Sequence, residues 1–162
     1  MIFRIANKSN RTLSICVDPN ANSNFAVSLG KFDQTEAAFQ WQISFHVPSS
    51  TENNFILKSA GLLIYSAFVN KAIVYNGENE YLQLKDPKLS NTTNEIDNNF
   101  LWNICWWDEG TNPFITIRSP FKQDDQVWDA RKSVSNGNGI GTWNDNGTDS
   151  QQWQLIPFIP TI

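Results

Sequence analysis

The chain has 162 residues, 40% of them hydrophobic and only 17% charged, which fits one folded domain with a sizeable core. Its net charge is −4 with a pI near 4.9, and its twelve Lys and Arg are scattered, with Arg131 and Lys132 the one adjacent pair. That balance speaks against nucleic acid and anionic lipid as partners, and no run of eighteen apolar residues offers a membrane-spanning helix.

In chain order, the amino terminus reads at once as a strand, with Ile2, Arg4 and Ala6 alternating against Phe3, Ile5 and Asn7. No charged leader precedes an apolar core, so no signal peptide is expected, and the expected location is cytoplasmic or released without a classical leader. Leu13-Ser14-Ile15-Cys16-Val17 is a second short apolar run. Turn clusters such as Asn20–Asn24 and Ser135–Gly139 separate the runs, helped by 20 Asn residues in all. No window sustains a helical stripe. Cys16 and Cys105 each sit in a hydrophobic run and read as buried, reduced thiols rather than a disulfide pair.

Self-similarity organises these pieces. Phe39-Gln40-Trp41-Gln42-Ile43, Phe100-Leu101-Trp102-Asn103-Ile104 and Gln151-Gln152-Trp153-Gln154-Leu155 share a Trp followed by an amide and an aliphatic residue. Phe3–Asn7, Phe55–Ser59 and Ile115–Ser119 share an opening strand. Ile5 to Trp41 and Ile117 to Trp153 are both 36 residues, while Leu57 to Trp102 is 45. On this reading the second repeat carries about nine extra residues, mostly between Asp86 and Asn99. The repeats run about 1–52, 53–111 and 112–162 within a single domain. Four short strands in each make about a dozen, and threefold closure into a barrel leaves few bare edges. The expected class is all-β.

The chain resembles, over its whole length, the ricin-B-type lectin domain, a β-trefoil that carries one Gln-x-Trp per repeat of about 50 residues. Only Gln151-Gln152-Trp153 keeps the signature intact; Phe39 and Phe100 replace the Gln elsewhere. Trp41, Trp102 and Trp153 read as core. The resemblance implies carbohydrate binding, with galactose or N-acetylgalactosamine the preferred sugars. It also implies a pocket per repeat: an Asp after the second strand, an aromatic platform further on, and polar residues just before the Trp. The chemistry is reasonable, since a flat ring covers the C–H face of a pyranose while a carboxylate or amide takes its hydroxyls.

The third repeat fits that pattern best. Asp129 supplies the carboxylate, Trp143 the platform, Asp145 and Asn146 the exposed turn, and Gln151 the signature amide. Gly141 and Ser150 stand where the resemblance suggests a Gln and an Asn, and Trp143 has a competing reading as core. In the first repeat Asp18 is the candidate carboxylate; counting back from Trp41 puts Lys31 at the stacking position and Asp33 opposite Asp145. In the second, Tyr65, Ser66 or Asn70 compete for the Asp position and Lys85 falls at the stacking one.

An enzyme is not expected, because His46 is the single histidine and lies in a strand-like stretch with no nucleophile motif nearby. No metal or other cofactor is expected either: Asp124, Asp125 and Asp129 match no calcium-loop spacing. Two further readings stay open. One is a β-trefoil protease inhibitor, though Val47–Asn53 offers no basic residue to a trypsin-like target. The other is a receptor-binding or haemagglutinin-like subunit of a toxin complex, or a homo-oligomer, with Trp106 and Trp107 as an anchor if exposed.

Overall fold

A computed structural model describes residues 1–17, 25–46, 61–87, 96–106, 112–119, 121, 125–131 and 134–159. Among these residues the chain forms twelve strands: β1 (Ile2–Asn7), β2 (Leu13–Val17), β3 (Val27–Lys31), β4 (Trp41–His46), β5 (Gly61–Ser66), β6 (Lys71–Val74), β7 (Gln83–Lys85), β8 (Asn103–Trp106), β9 (Ile115–Arg118), β10 (Gln126–Asp129), β11 (Gly141–Asn144) and β12 (Trp153–Pro157). Six of them close into a barrel. β12 pairs with β1, β1 with β4 and β4 with β5; the bridge Leu62–Trp102 joins β5 to the start of β8, β8 pairs with β9, and β9 returns to β12. The other six form the hairpins β2–β3, β6–β7 and β10–β11. A closed barrel with three hairpins is a β-trefoil.

The threefold relation can be read from hydrogen bonds. A short 3-10 turn precedes each signature Trp, at Ala37–Phe39, Asn98–Phe100 and Asp149–Gln151. Each indole is fully buried and donates Nε1–H to a strand carbonyl: Trp41 to Ile15 at 2.9 Å, Trp102 to Ile73 at 3.0 Å and Trp153 to Trp128 at 3.1 Å. A buried indole N–H left unpaired would cost about 1–3 kcal/mol, so each bond locks a hairpin to its barrel strand. Ile5, Ile64 and Ile117, also fully buried, occupy matching places in β1, β5 and β9.

That equivalence corrects the second repeat. Its opening strand is Gly61–Ser66, paired residue for residue with β4 from His46–Gly61 to Trp41–Ser66, not Phe55–Ser59. Ile64 is 38 residues before Trp102, close to the 36 of the other repeats, so the repeat as a whole is not nine residues longer. Lys85 to Trp102 is still 17 residues, against 11 from Gly30 to Trp41 and 10 from Trp143 to Trp153, so the stretch between Asp86 and Asn99 is lengthened and a shorter β6–β7 hairpin offsets it. Phe55–Ser59 and the loop Val47–Asn53 lie outside the described residues, as do Asp18, Asp124, Trp107 and the side chain of Trp106. Cys16 is buried and Cys105 is exposed, contrary to the expectation for the second; neither is in a disulfide.

Candidate functional site

The indole hydrogen bonds align the three repeats position by position. Ile15, Ile73 and Trp128 correspond, so the next residues, Cys16, Val74 and Asp129, correspond as well. Strand pairing carries the register across each hairpin: Ser14–Gly30, Ala72–Lys85 and Val127–Trp143 are equivalent pairs. The residues two before each signature Trp are Phe39, Phe100 and Gln151. One position set is therefore Asp129, Trp143 and Gln151 in the third repeat. In the first it is Cys16, Gly30 and Phe39, and in the second Val74, Lys85 and Phe100.

The chemistry of the three sets differs. In the first repeat Phe39 packs with Cys16 and Ala38, and a Cβ on Gly30 would sit 2.9 Å from Cys16 Sγ and 3.0 Å from the Phe39 ring. In the second, Phe100 packs with Val74, Leu63 and Ala72. Both places are filled with apolar side chains. The register puts Cys16, not Asp18, opposite Asp129, and Gly30, not Lys31, opposite Trp143. Val74 takes the place proposed for Tyr65, Ser66 or Asn70. Lys85 does stand at the stacking position. Asp33 is fully exposed and accepts from the Thr35 hydroxyl at 2.7 Å and the Thr35 N–H at 2.8 Å, bonds that hold its pKa below the usual carboxylate value.

In the third repeat the same place is polar and built. Asp129 is buried at the end of β10; its Oδ1 accepts the N–H of Arg131 at 2.7 Å and its Oδ2 accepts Gln151 Nε2 at 3.0 Å. Gln151, equally buried, also donates to the Asn144 carbonyl at 2.8 Å and accepts the Asn146 N–H at 2.9 Å. Its amide therefore fixes the carboxylate and the following turn together. Residues two apart on a strand share a face, so the Val127–Trp143 pairing puts Trp143 diagonally beside Asp129. Trp143 is 41% exposed, unlike the three signature indoles, which removes its reading as core.

A cleft of about 760 Å³ opens here, with Asp129, Arg131, Tyr81, Phe25, Trp143 and Asn146 on its walls. Asn146 Oδ1 is held by the Thr148 N–H and hydroxyl at 3.0 and 2.7 Å. Ser150 and Asp149 complete one side, the latter ion-paired with Lys8 at 2.9 Å. Asp145 is elsewhere: its carboxylate pairs with Arg118 and caps the Gly147 N–H at 3.1 Å. Burial alone lowers the pKa of Arg118, but Asp145, with Cys105 and Asp125, outweighs that and raises it.

Three wall residues carried no signal within the third repeat. Tyr81 arrives from the second repeat through the bridge Tyr81–Gly141, and Phe25 from the first, its ring 4.4 Å from that of Tyr81. Arg131 turns in through a left-handed backbone, φ 60°, which few non-glycine residues adopt.

A β-trefoil with a polar cleft in its third repeat is the class these features define. Neither a protein-family model nor a curated protein sequence matches the chain. Solved structures do. A designed threefold-symmetric protein, ThreeFoil, matches with a TM-score of 0.70 at 13% identity, over 96% of this chain and 98% of that one. A ricin B-like lectin from Macrolepiota procera, solved with lactose, matches with a TM-score of 0.67 at 16% identity, over 96% and 94%. The agglutinin of Rhizoctonia solani matches with a TM-score of 0.63 at 12% identity, over 96% and 93%. The chain thus shares the β-trefoil fold of ricin B-like lectins over nearly its full length.

Proposed function

We propose that this chain binds carbohydrate, without catalysis, in the cleft of the third repeat. The observation that carries the reading is the pair Asp129–Gln151 set beside the exposed ring of Trp143. Gln151 and the Arg131 N–H use one acceptor direction on each carboxylate oxygen, leaving lone pairs for sugar hydroxyls. Trp143 offers the apolar platform and Asn146 further polar atoms at the rim. Asp149 is neutralised by Lys8, so it makes a poor partner to Asp129 for the acid–base pair of a glycosidase. Galactose-type sugars are the first to try, because the Macrolepiota procera lectin was solved with lactose.

One such site binds weakly. Stacking that covers roughly 60 Å² of apolar surface contributes about 1.5 kcal/mol, and each solvent-competed hydrogen bond about 1 kcal/mol. After ordering costs this approaches a millimolar complex, so tight cell attachment calls for several chains acting together. The test is a multivalent glycan array probed with the parent and with Asp129→Ala. Binding by the parent that vanishes in the folded variant is the expected result; equal binding by both would place the site elsewhere.

A further inference from the structure

The cleft holds a cation that a neutral sugar does not need. The guanidinium carbon of Arg131 lies 4.1 Å from the centroid of Tyr81 and 5.1 Å from that of Trp143. Its Nη2 donates to the Asn79 carbonyl at 3.1 Å, and its Nε is buried with no hydrogen-bond partner. Among the described residues it forms no ion pair, whereas Lys8 and Arg118 each hold a carboxylate. Asp129 binds the backbone N–H of Arg131, not its guanidinium. That bond supports the left-handed turn which swings the side chain into the cleft. Gly141, opposite Asp129, lies beside that side chain: a Cβ there would stand at ordinary contact distance, 3.5 Å, from Arg131 Nη2. Faces against aromatic rings and in-plane donors left free suit a guanidinium for a planar or tetrahedral oxyanion.

We infer that the ligand of this cleft is an anionic sugar, one bearing a carboxylate or a sulfate ester that pairs with Arg131 while its hydroxyls meet Asp129 and its ring meets Trp143. The inference rests on the carbohydrate reading above and names the class of sugar. The neighbouring charges permit it: Asp149 is paired with Lys8, and Asp129 receives two N–H donors.

The test compares matched glycans: a neutral galactose-type sugar, its uronic acid, the methyl ester of that acid, and its sulfate ester. Each is titrated against the parent, Arg131→Gln and Arg131→Gly. The glycine variant suits φ 60° without strain, so it should fold and melt no lower than the parent. A charge-assisted pair should favour an acidic form over the neutral sugar by about tenfold or more. The methyl ester should fall back to the neutral value, and both variants should erase the preference, binding the acidic and the neutral sugars alike. Preference for the acid alone or the sulfate alone identifies which oxyanion fits. Equal binding of all four sugars, unchanged in the variants, would overturn the inference and leave the carbohydrate reading standing. Binding of none by the parent would overturn both.

Discussion

Gln151 donates its amide to the buried carboxylate of Asp129 at 3.0 Å, and at the matching places of the other two repeats a phenylalanine faces Cys16 or Val74. A position that is core in two repeats has become a polar site in the third. Removing the amide should therefore damage both structure and binding. Gln151→Ala leaves Asp129 short of a donor and frees the Asn146 N–H, at a cost of about 1–3 kcal/mol. Urea denaturation should report that loss, with glycan binding weakened at least tenfold. Phe39→Ala should cost about 3–5 kcal/mol and leave binding of the folded protein unchanged.

Trp143 and Trp153 make a contrasting pair. Trp143→Ala should lower stability by under about 1 kcal/mol, since the ring is 41% exposed and loses chiefly its contact with Arg131. Binding should nevertheless drop below detection. Trp153→Ala deletes a fully buried indole and its bond to Trp128, for about 3–5 kcal/mol. Matching thermal midpoints for the two variants would contradict the platform role.

Much of the fold was legible because its signals are local. A Trp after a short turn recurs three times, and the strand alternation around Ile5 and Ile117 is plain in the residues themselves. Asp129 and Trp143 were legible for the same reason, lying on two adjacent strands of one hairpin. The errors came where pairing decides. Phe55–Ser59 and Gly61–Ser66 are both apolar, and only the ladder with β4 selects the second. In the first repeat the total of 36 residues conceals a shift: Leu29 to Trp41 is 12 residues, where Thr142 to Trp153 is 11. Counting back from the Trp therefore landed on Lys31 instead of Gly30. Tyr81 stands in the sequence as an aromatic available to the second repeat, with nothing to show that it crosses to the third, and the place of Arg131 depends on a positive φ.

Gly141 links the two halves of the cleft. A Cβ there would stand 2.9 Å from the backbone oxygen of Glu80, which accepts the Thr142 N–H at 2.9 Å. Gly141→Ala should push the segment carrying Tyr81 away, destabilise the fold by about 1–3 kcal/mol, and weaken binding. A fully stable variant with parental affinity would mean that this approach of backbone to backbone has little influence on the site.

The two thiols should differ in reactivity. Cys105 is exposed and Cys16 is buried against Phe39, so a thiol reagent should modify one equivalent quickly in the native protein and two after unfolding. Two fast equivalents would show that the Phe39 cluster opens in solution.

The central claim is that the third repeat alone carries a site. Calorimetric titration of the parent with the tightest-binding glycan from the array should give one site per chain, and folded Asp129→Asn should give none. Two or three sites per chain, or a folded Asp129→Asn variant that binds as the parent does, would contradict it.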